Sequence, residues 1–170
     1  VANYAVGYDN VDVVEAKKRG IVVTNTPSAL GDGVAEFTVA LVLALSRRLV
    51  PADRFMRGGH YRAWDPNIFL GQDLTGKTLG IVGAGTIGSV VGKRLQAVFD
   101  MGVVYYCRNR KDRFEAETGG RCVSLEELLK VSDVVSLHVP LSPETRHMIG
   151  KRELAMMKPT AILINTARGP

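Results

Sequence analysis

Residues 78–88 read TLGIVGAGTIG, and this stretch decides the fold. A short run of strand formers leads into glycines spaced G-x-G-x-x-G. Beyond them Ile87, Val90, Val91, Leu95 and Val98 recur with the period of a helix. The order is therefore strand, tight turn, helix. Gly83 permits the sharp turn, Gly85 lets a dinucleotide pyrophosphate approach the backbone, and Gly88 lets the helix lie close to the sheet. The helix N-terminus offers unpaired N–H groups and a partial positive charge to phosphates. Glycine spacing alone also serves plain turns. The flanking strand and helix, with a second strand at 103–106 at the expected distance, make it a dinucleotide fingerprint.

Downstream the alternation continues. Ser124, Leu125, Glu126 and Glu127 form a capping box that opens a helix with Leu125, Leu128 and Leu129 inward. A strand at 134–139 ends at Pro140, and Ser142, Pro143 and Glu144 read as a cap with a first-turn proline. A helix at 151–157 and a strand at 161–164 follow. This pattern builds an α/β fold, a doubly wound parallel sheet covered on both faces.

Upstream, residues 34–48 are apolar almost all round a helix, which implies burial between domains or subunits, and Arg47 and Arg48 complement its dipole. Residues 50–76 have little periodicity and read as a long irregular arm, with Trp64 and Phe69 as interface anchors. Residues 1–26 read as a turn at 7–10, a helix at 11–18 stopped by Gly20, and a strand at 21–24. One α/β unit has no sheet of its own to join, so this segment is expected to belong to a larger domain whose earlier strands lie outside the sequence. Pro27 marks a hinge. The expected division is 1–27, the end of a second domain, and 28–170, the dinucleotide-binding domain.

The bulk numbers suit one ordinary domain and part of another: 170 residues, 46% hydrophobic, 23% charged. The net charge of +5 is interspersed with acids rather than gathered into a run, which argues against nucleic acid and for a solvated surface mildly biased to anionic ligands. Cys107 and Cys122 form no C-x-x-C and no metal-ligand spacing with the three histidines, so free thiols in a reducing, cytoplasmic setting and no metal are expected. No apolar run approaches the roughly 20 residues needed to span a bilayer, and no signal peptide is visible.

Ligands of doubly wound sheets sit beyond the C-terminal strand ends, here 83–88, 107–111, 138–141 and 165–169. At the second, an NAD site places an acidic residue on the ribose 2′-hydroxyl. This chain has Cys107, Arg108, Asn109, Arg110 and Lys111 instead. Three cations and an amide suit the 2′-phosphate of NADP, which predicts NADP(H) as the preferred cofactor with NAD(H) as the alternative.

With these residues in place, the chain resembles the D-isomer-specific 2-hydroxyacid dehydrogenases, and within them the glyoxylate and hydroxypyruvate reductases. The resemblance covers nearly the whole chain. It rests on AVGYDN (5–10), TP followed by VAEFTVALVLALSRR (26–27, 34–48), LTGKTLGIVGAGTIG (74–88), YYCRNRK (105–111), SDVVSLHVPLSPETRHMIG (132–150) and MKPTAILINTARG (157–169) in this order. It implies two α/β domains, the second flavodoxin-like and substrate-binding, with a cleft between them and a homodimer formed through the dinucleotide-binding domain.

The resemblance also assigns roles. Arg168 corresponds to the catalytic arginine that pairs with the carboxylate of a 2-keto acid and polarises its carbonyl, and a guanidinium fork suits both oxygens. Val6 and Gly7 match the turn whose backbone N–H groups also hold that carboxylate. Gly83, Gly85, Thr86, Ile87 and Gly88 match the pyrophosphate loop, with Thr86 standing where Arg is commoner. Cys107, Arg108, Asn109 and Arg110 match the adenosine-ribose end, His138, Pro140 and Thr145 the cofactor wall, and Thr166, Ala167 and Arg168 the nicotinamide end. His138 resembles a general acid, but in the family the catalytic histidine and its partner glutamate lie farther along than residue 170. His60 and His147 read as surface or structural.

The expected activity is NAD(P)H-dependent reduction of glyoxylate or hydroxypyruvate to glycolate or glycerate, with the 170-residue chain alone inactive. The alternatives are a dehydrogenase for another 2-hydroxy acid, such as phosphoglycerate or D-lactate, and a non-catalytic dinucleotide-sensing protein like the corepressors built on this fold. A downstream Glu followed by a His would separate enzyme from sensor.

Overall fold

The computed structural model describes residues 1–27 and 31–169; residues 28–30 and Pro170, at the two ends of the expected dinucleotide-binding domain, lie outside the described residues. The glycine-rich stretch begins at the centre of a five-stranded, wholly parallel sheet. Its strands are β1 (Thr78–Val82), β2 (Gly102–Tyr106), β3 (Arg121–Cys122), β4 (Val134–Leu137) and β5 (Ile162–Asn165), in the order β3-β2-β1-β4-β5. The chain works outward from β1 to one edge, then returns beside β1 and works to the other. That reversal opens a crevice at the C-terminal ends of β1 and β4.

Alternate residues of β1 point to opposite faces, so each face needs its own cover. On one side Leu79 and Ile81 pack with Val91 and Leu95 of α4 (Thr86–Phe99) and with Ala35 and Val42 of α2 (Gly31–Ser46). On the other side Val82 and Val135 pack with Leu128 and Leu129 of α6 (Leu125–Val131). Ser124 caps α6 as expected, its hydroxyl accepting the Glu127 N–H at 3.1 Å. At the opposite end of the sheet, Asp133 ties three strands together. Its carboxylate accepts from the Thr78 N–H and the Lys158 ammonium, each at 2.9 Å, and its carbonyl accepts from Ile162 N.

Several expectations need correction. The sequence reading has no helix between 106 and 121, yet α5 (Asp112–Thr118) and the edge strand β3 lie there. The helix has one large apolar residue and so no periodicity. Phe114 supplies its anchor, meeting the Tyr105 ring edge-on at 5.3 Å. The stretch after Ser142 is a single turn rather than a helix start, and α7 (Lys151–Leu154) stops three residues short of 157. Residues 21–24 form no ladder strand. They run extended beside 1–3 with one isolated parallel bridge, Ala2 to Thr24, and Val22 is 75% exposed. The helix at 11–18 begins at Val13 with Asp12 as its N-cap (α1, Val13–Lys18).

The arm is not wholly irregular either. Helix α2 ends at Ser46, Arg48 turns left-handed at φ 53°, and α3 runs Leu49–Arg57. Pro51 obscures α3 in the sequence, but it falls in the first turn, where a missing N–H costs nothing. Helix α2 buries a stripe of small residues, Ala35, Thr38, Val42 and Ser46, and leaves Phe37 and Leu45 more than half exposed. Phe69 packs edge-on to Phe55 at 5.3 Å with the Arg48 guanidinium over it, whereas Trp64 is 79% exposed.

Candidate functional site

The strand β1 hands over to α4 through a turn whose three glycines have different work. Gly83 sits at φ +96°, donates its N–H to Tyr106 O at 2.8 Å, and presses against the backbone of His138. A side chain on Gly88 would run into the Gly83 carbonyl, so that glycine sets how closely the helix meets the strand. Around Gly85 the space is open: a Cβ built there meets nothing within 4 Å. Gly85 is also the N-cap of α4 and no side chain caps the helix, while Gly85 and Thr86 are exposed and Ile87 is half-buried. The first turn thus presents its N–H groups to an open cradle, which fits a pyrophosphate laid against the backbone.

The loop after β2 closes one side of this cradle. The Cys107 thiol accepts the Ala84 N–H at 2.9 Å and so fixes the loop to the glycine turn. Tyr105 OH accepts from Lys111 N at 2.7 Å and donates to Glu115 at 2.8 Å. Glu115 in turn takes a two-pronged grip from Arg110, at 2.9 Å on Nε and 2.6 Å on Nη2. The Arg110 guanidinium, followed by the Tyr105 hydroxyl, holds the Glu115 carboxyl below its ordinary range. Arg110 is thereby engaged in shaping the loop. Arg108 and Asn109 are exposed, and Arg108 makes no ion pair among the described residues, although its charge helps lower the Glu144 carboxyl across the crevice after the Ser142 hydroxyl has done most.

At the end of β4, His138 keeps sheet contact through its N–H to Val82 O at 2.8 Å, and its Nε2 lies 2.8 Å from the Ser136 hydroxyl. Burial pushes its imidazole down to about 4, so the ring is neutral near pH 7 and makes a poor proton donor there. Beyond it, a cavity of about 270 Å³ opens between the ends of β4 and β5, and Pro140, Thr145, Ala167 and Arg168 line it together. The Thr145 hydroxyl is turned inward, donating to Pro140 O at 2.6 Å and accepting from Ser142 N at 2.8 Å. His147, read from the sequence as surface or structural, also lines this cavity, from a left-handed backbone at φ 54°.

The end of β5 is shaped by a residue that sequence reasoning passed over. Asn165 accepts the Ala167 N–H at 2.9 Å and donates to Arg168 O at 2.7 Å, a side-chain turn that brings Arg168 back over the strand end. Thr166 bonds Thr38 of α2 at 3.0 Å. The fully buried Thr38 hydroxyl spends its one proton on Val34 O at 2.8 Å, so Thr166 is the donor between them and its own oxygen is left as an acceptor only.

Arg168 reaches back to Gly7, next to Val6, from the far end of the sequence. A Cβ on Gly7 would lie 2.7 Å from Arg168 Nη2. The carbonyls of Val6 and Gly7 are held by the side-chain amides of Asn25 at 2.9 Å and Asn3 at 2.8 Å. Asp9, which the sequence reading places in the turn at 7–10 without a role in the site, accepts from Arg168 Nε at 3.1 Å. Arg168 and the turn that carries Val6 and Gly7 therefore meet at the C-terminal end of the strands, the end at which the glycine turn also lies. No group of three or more His, Cys, Asp or Glu that would hold a metal occurs among the described residues. No helix among them is long and apolar enough to cross a membrane.

Known proteins resemble this chain in sequence and fold. The profile described as "D-isomer specific 2-hydroxyacid dehydrogenase, NAD binding domain" matches residues 39–170. A glyoxylate reductase of Thermococcus litoralis is 56% identical over 173 residues, covering 99% of this chain and 52% of that protein. The crystal structure of the TT0316 protein from Thermus thermophilus superposes with a TM-score of 0.90 at 49% identity, over 98% of this chain and 51% of that one. A D-lactate dehydrogenase of Aquifex aeolicus, crystallised with NAD and lactic acid, gives 0.88 at 38% identity, over 99% and 49%. The chain spans about half the length of the curated relatives it matches.

Proposed function

The chain belongs to the D-isomer specific 2-hydroxyacid dehydrogenases, and from that premise we propose that the protein carrying it reduces a small 2-keto acid, glyoxylate or hydroxypyruvate, with NADPH preferred over NADH. The observation that carries the proposal is the meeting of Arg168 with the Val6 and Gly7 turn beside an open glycine cradle.

When bound, the reduced nicotinamide supplies a hydride to C2 of the keto acid. Every other contribution falls to the protein. The first turn of α4 and Gly85 take the pyrophosphate through backbone N–H groups. Arg108 is the group placed to meet a 2′-phosphate, and Arg110 supports the loop through Glu115. Thr166, as an acceptor, and Ala167 border the nicotinamide end. Arg168 holds the substrate carboxylate, assisted by the N–H groups of Val6 and Gly7, and draws negative charge toward the carbonyl oxygen as it develops. The neutral, half-buried His138 serves as a wall of the cofactor site. The proton that completes the alcohol comes from a histidine and glutamate pair beyond residue 170, as the family resemblance implies.

Residues 1–27 are taken to be the part of a second, substrate-binding domain that carries the carboxylate turn. Homodimerisation fits the exposed apolar residues of α2, α3 and the arm, and free Cys107 and Cys122 fit a reducing cytoplasm. Reduction of glyoxylate, hydroxypyruvate and pyruvate by the full-length protein, with NADPH and NADH compared, tests the reading. It predicts the highest kcat/KM with NADPH and one of the first two acids, and absence of any keto acid reduction would overturn it.

A further inference from the structure

We propose that Asp9 is a positioning residue that fixes the direction of the Arg168 guanidinium, a role resting on the reading of Arg168 as the carboxylate holder. A guanidinium carries five N–H groups in a rigid plane. The Nε–H goes to Asp9, at 3.1 Å to Oδ1 and 3.4 Å to Oδ2, and one Nη1–H goes to the Ala167 carbonyl at 3.0 Å. Three N–H groups remain, all at the outer end of the plane, on Nη1 and Nη2. That end lies beside Gly7, where a Cβ would sit 2.7 Å from Nη2. An arginine held at Nε and on one side of Nη1 can turn about neither its long axis nor its plane, so the free fork is aimed rather than merely present.

The partner that aims it comes from the far end of the sequence. Asp9 belongs to the same turn whose carbonyls are held by Asn3 and Asn25, and its Oδ1 lies 3.0 Å from the Gly7 Cβ position. The carboxylate turn and Arg168 are therefore locked to each other through one ion pair. Arg168 is 42% exposed and Asp9 28%, so the pair is wet enough to lack the heavy desolvation cost of a buried bridge yet sheltered enough to hold direction. Without Asp9 the charge of Arg168 remains but its aim is lost. The result is a carboxylate bound in several orientations and a C2 carbon out of line for hydride transfer.

The test is a double-mutant cycle on the full-length protein with glyoxylate. Asp9→Ala should lower kcat/KM at least about tenfold, with a fall in kcat as well as a rise in KM, and leave NADPH affinity within about twofold. Asp9→Asn keeps an acceptor oxygen and should restore kcat/KM to within about fivefold of wild type. In an Arg168→Lys background, where Nε–H and the fork are gone, Asp9→Ala should change kcat/KM by less than about threefold. Equal losses from Asp9→Ala in both backgrounds, or tighter keto acid binding in Asp9→Ala, would overturn the positioning role while leaving Arg168 in place. If Arg168→Lys itself keeps near wild-type kcat/KM, the reading of Arg168 fails, and the role of Asp9 falls with it.

Discussion

Gly85→Ala and Gly88→Ala separate a glycine kept for the ligand from one kept for the fold. At Gly85 the backbone is φ −82°, ψ −158°, which alanine adopts freely, and the new methyl meets nothing within 4 Å. Alanine is a poorer N-cap than glycine, by about 0.5–1 kcal/mol, and it restricts the unfolded chain, by about 0.4–1 kcal/mol in the opposite sense. The two nearly cancel, so Tm should move by no more than about 2–4 °C. The methyl does, however, occupy the cradle at the helix N-terminus. Denying a phosphate oxygen one charge-assisted bond costs about 1.5–3 kcal/mol, which is roughly ten- to a hundredfold in dinucleotide affinity. In Gly88→Ala the methyl strikes the Gly83 carbonyl and lies 3.1 Å from Ile81 Cγ2, so that variant should lose about 1–3 kcal/mol of stability or more. Thermal melts with titration of NADPH and NADH into the full-length protein read both effects. A folded Gly85→Ala that binds both dinucleotides like wild type would refute the placement of the pyrophosphate.

Arg108→Ala should weaken NADPH at least about tenfold while sparing NADH, whereas Arg110→Ala, by releasing Glu115, should weaken both; equal losses from Arg108→Ala would remove it from the 2′-phosphate. Because folded His138 titrates near 4 and an unfolded histidine near 6.5, the unfolded chain binds the extra proton between those values. Stability should therefore fall as pH drops from about 6.5 to 4, by up to about 3 kcal/mol, and urea denaturation of His138→Gln should show a correspondingly smaller slope across that window. Thr38→Val keeps the shape but leaves the Thr166 hydroxyl without its acceptor, which should cost about 1–3 kcal/mol in a urea melt.

The central strand, its glycine turn and the long helix after it were legible because a strongly periodic apolar pattern and three spaced glycines agree on one local structure. The missed helix α5 has one large apolar anchor, Phe114 on Tyr105, and otherwise docks through the carboxylates of Glu115 and Glu117, which leaves no such pattern. The strand expected at 21–24 has the right composition but no ladder beside it, and composition cannot supply a neighbour. Among site residues, Arg168 and Gly7 were readable from motif. Asp9 and Thr38 act through contacts spanning 159 and 128 residues, which no local spacing encodes. Asn165 did leave a signal: an asparagine at a strand end, followed by small residues and a glycine, is a turn former. The loop at 107–111 showed its charge in the sequence, but not that Glu115 would claim one of its arginines.

The central claim is that Arg168 directs a keto acid beside a dinucleotide bound at the glycine turn. Its most direct test is Arg168→Lys in the full-length protein, with glyoxylate kinetics and NADPH affinity measured on the same sample. The account predicts a fall in kcat/KM of at least about a hundredfold with NADPH affinity within about twofold, since lysine keeps the charge and loses the fork. Turnover near that of wild type, or a loss of cofactor binding as large as the loss of turnover, would contradict it.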